Sequence, residues 1–154
     1  MNLSVNFQME ESEAIEELQE RFFNFLLKKI CTEKQAQDFL NKAKVTENQF
    51  DYLMREAKDT GLIDDESYAK LFAEGHEAWG NAKISFELSK RGIESENINS
   101  ALENITEESQ RAKELYNSWK NILDNKKISS RLLSRGFSYK SINKILKNKD
   151  DIDF

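Results

Sequence analysis

At 154 residues the chain has the length of one domain, and with no proline, five glycines and 33% charged residues it suits amphipathic helices, which excludes a turn-rich β-sandwich or barrel. Apolar residues make up 38% of it, too much for a wholly disordered chain. The net charge of −5 is unevenly spread: residues 1–110 carry −11, residues 111–149 carry +9, and the last five residues carry −3.

Taken in chain order, the apolar spacing of Leu18, Phe22, Phe25 and Leu26 predicts a helix over 10–30, with Glu10, Glu11, Glu13, Glu16, Glu17 and Glu20 as a solvated face. Its most apolar stretch, Phe22 to Ile30, is broken by Asn24, Lys28 and Lys29 and is too short to cross a bilayer, so no membrane association is expected. Cys31 is the single cysteine and has no disulfide partner in the chain; with no basic-then-apolar leader, the reducing cytoplasm is the expected compartment. Thr32 with Gln35, and Thr46 with Gln49, fit the capping box and open helices over 33–43 and 47–60. Gly61 closes the second of these. Asp64-Asp65-Glu66 then opens 65–78. Clustered carboxylates suit a divalent cation, but at this position they also cap orphan amides and complement the helix dipole, and that structural role is the reading adopted. Further helices are predicted over 81–91, 95–104, 107–124, 127–135 and 139–148, with Gly92 and Gly136 as stop signals.

Sliding the chain against itself by 44 residues exposes a duplication. Lys83-Ile84-Ser85 aligns with Lys127-Ile128-Ser129, Leu88 with Leu132, Arg91-Gly92 with Arg135-Gly136, Ile98-Asn99 with Ile142-Asn143, and Leu102 with Leu146. Shared leucine spacing is common to amphipathic helices, whereas a shared Arg-Gly turn and shared polar residues are not. A fainter copy lies at an offset of 48, where Leu40, Val45, Phe50 and Met54 stand for Leu88, Ile93, Ile98 and Leu102, and Lys44 replaces the turn glycine. The expected fold is therefore all-α: one domain over 1–154 made of three tandem three-helix repeats, about 10–60, 64–104 and 107–148, forming an elongated curved solenoid with an acidic tail at 149–154.

The chain is poor in catalytic groups. Cys31 at a helix junction reads as a small buried hydrophobe, and His76, beside Glu74 and Glu77, has no second ligand at metal spacing. The glycines are isolated singles, so no phosphate loop is present. No enzyme activity, catalytic residue, cofactor or metal is expected. The third repeat is more informative, because its cations are placed. Lys140, Lys144 and Lys147 fall opposite Ile142, Ile145 and Leu146, and Lys127, Arg131 and Arg135 flank Ile128 and Leu132. Two short helices joined at Gly136 with cations outward suit phosphates or an acidic protein surface. A small helical DNA-binding protein using this helix pair is the alternative reading, although no Asn or Gln is placed for base edges. A helical adaptor has no positive marker.

These segments resemble the RecX family of regulators of the bacterial recombinase RecA. GLIDDESYA at 61–69, with Gly61, Asp64, Asp65 and Tyr68, is similar to that family's most recognisable motif. WGNAKISFELSKRGI at 79–93, with Trp79, Gly80 and Gly92, and RLLSRGFSYKSINKIL at 131–146, with Gly136, resemble its later repeats, and CTEKQAQDFLNKAKV at 31–45 does so more faintly. The resemblance covers about residues 15–148 and implies three three-helix repeats. It further implies a non-enzymatic modulator, usually an inhibitor, that docks in the groove of the RecA filament on DNA and lowers ATP turnover and strand exchange, in recombination, repair and the SOS response; a monomer is the separate expectation for the chain. Lys127, Arg131, Arg135, Lys140, Lys144 and Lys147 are then the candidates for contacting RecA or DNA backbone. Where many relatives carry an arginine-rich helix after the Asp-Asp motif, this chain reads LFAEGHEAWG, so intrinsic DNA binding is expected to be weak and salt-sensitive.

Overall fold

The computed structural model describes the backbone of residues 3–150 and the side chains of residues 14–147. Among the described residues there are nine helices and no strand: α1 (Leu3–Lys28), α2 (Glu33–Lys42), α3 (Glu47–Asp59), α4 (Asp65–Gly75), α5 (Asn81–Lys90), α6 (Ser95–Glu103), α7 (Glu108–Trp119), α8 (Asn125–Ser134) and α9 (Tyr139–Asp150). The order is three successive triples, an all-α helical repeat. The chain divides into two compact units, 1–68 and 69–154, the cut falling within α4.

In the first unit α1, α2 and α3 pack on one another around Phe22, Leu26, Ala36, Leu40, Leu53 and Ala57, with Cys31 and Ile63 joined by an isolated backbone bridge. Both capping boxes form: Thr32 and Thr46 accept from the backbone N–H of Gln35 and Gln49, whose side chains accept in return from the two cap residues' own N–H groups. In the second unit α5 packs on α6, and α7, α8 and α9 pack mutually around Ala112, Tyr116, Ile128, Leu132, Phe137 and Ile142. Burial follows the repeat register: Ala36, Ile84 and Ile128 are buried at one position, and Leu40, Leu88 and Leu132 at the next turn.

The turn between the second and third helix of each triple carries the same backbone signature. Gly92 and Gly136 have φ of 85° and 88°, and Lys44, a lysine at the aligned position, has φ of 55°. After the two glycines Ile93 and Phe137 donate back to Leu88 O and Leu132 O at 3.1 Å, the six-residue bond of a Schellman closure, and both side chains are buried.

Several helix ends differ from the sequence expectation. α1 begins at Leu3, well before position 10. α4 stops at Gly75 instead of 78, because the chain turns there and the Glu77 and Trp79 carbonyls accept from Arg111 instead of from a continuing helix. α7 stops at Trp119 instead of 124, where Ile122 and Leu123 both fold back to donate to the Trp119 carbonyl. α8 starts at Asn125, two residues early, because Asp124 caps it through the Lys127 N–H at 2.8 Å. The side chains of Glu10, Glu11 and Glu13 lie outside the described residues, as does the tail from 151 onward, while α9 itself runs on to Asp150.

Candidate functional site

The second and third triples each begin with an acid that reaches the preceding triple. Asp65, first residue of α4, accepts at 2.9 Å from the Glu33 N–H, the first of α2. Glu108, first residue of α7, accepts at 2.7 Å from the Asn81 N–H, the first of α5. Asp64 caps its own helix, accepting from the Ser67 N–H at 3.1 Å and the Ser67 hydroxyl at 2.8 Å. The Asp-Asp pair is thus occupied in helix-end chemistry, and the described residues contain no group of three or more His, Cys, Asp or Glu placed to hold a metal ion. Cys31 is buried, which pushes its thiol pKa up and keeps it protonated. His76 stacks between Phe72 and Trp79, with ring centroids at 4.1 and 4.2 Å, and its Nδ1 lies 2.7 Å from the Phe72 carbonyl. Among the described residues no helix is long and apolar enough to cross a membrane.

The Trp79–Asn81 turn is held by residues that composition and periodicity pass over. Arg111, 3% exposed, donates to the carbonyls of Thr106, Glu77 and Trp79 and to the Asn81 side chain. Burial lowers its pKa, and the carboxylates of Glu108 and Glu77 raise it in compensation. Arg111 was one of the cations of the basic third, but it faces inward and adds nothing to that surface. Glu108 also accepts from the Ser138 N–H and from the Ser138 and Ser141 hydroxyls at the start of α9, at 3.0, 2.6 and 2.8 Å. Gly80 donates to the Arg135 carbonyl at 2.8 Å, and a Cβ built on Gly80 would sit 2.1 Å from the Gly136 carbonyl oxygen. Only a residue without a side chain allows these two turns to touch. Gly61 has φ of 76° and closes α3, and Tyr68 is half-buried on α4.

The candidate cations divide into two sets. Lys140, Lys144 and Lys147 are exposed along α9, whose other side buries Ile142 and Ile145. Lys127 is exposed near the start of α8. Arg131 and Arg135, one helical turn apart, are brought together by Trp119, their guanidinium carbons lying 5.1 and 4.9 Å from its ring. No sequence signal singled out Trp119; its place near the α7 end and the i, i+4 spacing of the arginines would have had to be combined with the packing of α7 on α8.

The repeat alignment shows how this surface became basic. Glu87, Glu96 and Glu103 of the second triple align with Arg131, Lys140 and Lys147 of the third. The core positions Ile84/Ile128, Leu88/Leu132 and Ile98/Ile142 stay apolar while these three outer positions exchange acid for base, the behaviour of a scaffold held constant beneath a changed surface.

The family described as "RecX, second three-helix domain" matches residues 64–102. Over 85 residues the chain is 36% identical to a protein named Regulatory protein RecX from Caldanaerobacter subterraneus subsp. tengcongensis, covering 54% of this chain and 43% of that protein. Over 93 residues it is 29% identical to Regulatory protein RecX of Oceanobacillus iheyensis, covering 58% of this chain and 34% of that protein. The chain therefore spans less than half the length of the curated relatives it matches. The crystal structure of RecX from Lactobacillus salivarius superposes with a TM-score of 0.74 at 25% identity, over 90% of this chain and 98% of that one. A second crystal structure, of a regulatory protein RecX, shares the fold with a TM-score of 0.73 at 19% identity, over 96% and 78% of the two chains. The three helix triples, the repeated left-handed turns and the matched second repeat all make this chain similar to proteins of the RecX family.

Proposed function

We propose that this chain is a regulator, most simply an inhibitor, of a RecA-type recombinase, acting in the bacterial cytoplasm by binding the groove of the recombinase filament on DNA and lowering its ATP hydrolysis and strand exchange. The observation that carries the reading is the likeness to proteins named Regulatory protein RecX, which runs over most of the chain in the Lactobacillus salivarius structure. A purely binding mode agrees with the chemistry available: Cys31 is buried and protonated, His76 is engaged in an aromatic stack, and the acids of the Asp-Asp motif serve helix ends. The chain acts as a monomer, with its whole length as one functional unit, and Lys127, Arg131, Arg135, Lys140, Lys144 and Lys147 make the main partner contact.

The test is fluorescence-detected binding to bare single-stranded DNA, to free recombinase, and to recombinase filaments locked with an ATP analogue on the same DNA, each at two salt concentrations. Filaments are expected to bind much more tightly than bare DNA, with inhibition of DNA-dependent ATP hydrolysis following. Equal binding to bare DNA, with a steep salt slope, would instead make α8 and α9 a nucleic-acid surface.

A further inference from the structure

The positions of Arg131 and Arg135 are filled three times along the chain. They are Phe39 and Ala43 in the first copy and Glu87 and Arg91 in the second. In the second copy the charge is cancelled within the helix, since Arg91 Nη1 donates to the Glu87 carboxylate at 2.8 Å while its guanidinium lies 4.9 Å from the Phe72 ring. In the third copy the acid has become a second arginine. Among the described residues no carboxylate lies within ion-pair distance of either guanidinium. Two like charges at i, i+4 repel one another. Here they are held together by one indole ring, against which both are placed.

We infer that Trp119, Arg131 and Arg135 form a docking site for paired carboxylates on an acidic protein segment, with Trp119 as the positioning residue that sets the two guanidinium groups side by side. An arginine fork whose stem is fixed loses less freedom on binding a carboxylate than a free one, which is what an aromatic platform provides. An acidic protein segment fits better than nucleic acid. Residues 1–110 carry −11, which opposes a continuous polyanion, whereas a local acidic patch needs only a local basic one. The neighbouring surface is also partly apolar: Ile122, three residues beyond Trp119, is 78% exposed, and arginine, tryptophan and apolar groups together are the composition of protein interfaces. This inference rests on the reading above that the partner is a protein assembly.

The experiment uses the full chain with Trp79→Phe, leaving Trp119 as the sole tryptophan, its fold checked by circular dichroism. It is titrated with an oligoglutamate peptide and, separately, with an oligothymidylate of matched charge. The peptide is expected to shift Trp119 emission saturably, with affinity falling as salt rises. With the peptide labelled and followed by anisotropy, R131Q/R135Q is expected to weaken binding about tenfold or more. Trp119→Phe should retain much of the binding that Trp119→Ala loses, a rescue that loss of fold alone would not give. If Trp79→Phe does not fold, fluorine NMR of the wild-type chain labelled with 5-fluorotryptophan resolves the two rings and gives the same readout. Unchanged Trp119 signal with peptide, equal binding by R131Q/R135Q, or tighter binding of the oligothymidylate overturns the inference. Filament binding without peptide binding discards the arginine-pair site alone; peptide binding without filament binding keeps the site and discards the recombinase as its partner.

Discussion

Asp65 and Glu108 occupy the same place in successive triples, each accepting from the first N–H of a second helix, yet their ionisation works in opposite directions. Burial pushes the Asp65 pKa up, opposed by the hydrogen bond from the Glu33 N–H, and the carboxylate of Glu33 adds to the rise. Burial acts on Glu108 in the same sense, but hydrogen bonds from Ser138, Asn81 and Ser141 outweigh it and hold the pKa below the usual carboxylate value. Because the folded pKa of Glu108 lies below its unfolded one, its stabilisation is present above the unfolded value and is lost as pH falls through the folded one. For Asp65 the sign reverses: its contribution is fullest below the unfolded pKa and fades as pH rises through the folded one. Glu108→Gln would aim an amide donor at N–H or hydroxyl donors that now meet a carboxylate, and is expected to cost about 1–3 kcal/mol at neutral pH. Asp65→Asn keeps an acceptor for the Glu33 N–H while removing the buried charge, and is expected to be neutral or slightly stabilising. Urea denaturation at pH 7 and again in the acid range checks both, with the gap between Glu108→Gln and wild type narrowing at low pH.

At the scale of the element, the recurring unit is a helix closed by a left-handed residue and followed by an apolar one, buried at Ile93 and Phe137 and half-buried at Val45. Gly92 and Gly136 supply that conformation without strain, whereas Lys44 adopts φ of 55° despite its side chain. Lys44→Gly is accordingly expected to stabilise the first unit by about 1 kcal/mol, read as a rise in melting temperature. Gly136→Ala should do the reverse and by more, because its Cβ would lie 2.5 Å from Lys83 Cβ and 2.7 Å from Lys83 N as well as taking positive φ. A loss of about 2 kcal/mol or more is expected, and Gly80→Ala should behave alike, since its Cβ would meet Gly136 backbone atoms at 2.1 and 2.2 Å.

For the molecule as a whole the organising fact is a repeated scaffold with a changing exterior. The first 110 residues are strongly acidic and the cations concentrate on the last triple, where the exposed lysines of α9 make no contribution to the core. Fold and binding should therefore separate on mutation. Replacing Lys140, Lys144 and Lys147 together by Glu is expected to leave the helical circular dichroism spectrum and melting temperature near wild type, since exposed substitutions of this kind change stability by about 0.5 kcal/mol or less each. Filament binding should weaken at the same time, most at low salt. Unchanged binding by a folded triple variant would remove the α9 stripe from the proposed contact.

The sequence alone determined the helical class, the three triples and the register among them, because each rests on local signals: the 3.6-residue period, Thr-x-x-Gln boxes at Thr32 and Thr46, and residues suited to left-handed turns at Gly92 and Gly136. It also placed the α9 lysines on the side away from the core, which follows from period alone. Helix ends at Gly75 and Trp119 were not legible, since the chain turns there to satisfy partners tens of residues distant or its own last carbonyl. Only the tertiary structure decided that Arg111 is a buried tie and not part of the basic surface, that Glu108 joins the starts of α5 and α9, and that Gly80 is required by its contact with Gly136. Only it set Arg131 and Arg135 on Trp119. The physical reason is common to all four: a period fixes which side of its own helix a residue faces, while the meeting of residues from different helices depends on how those helices pack.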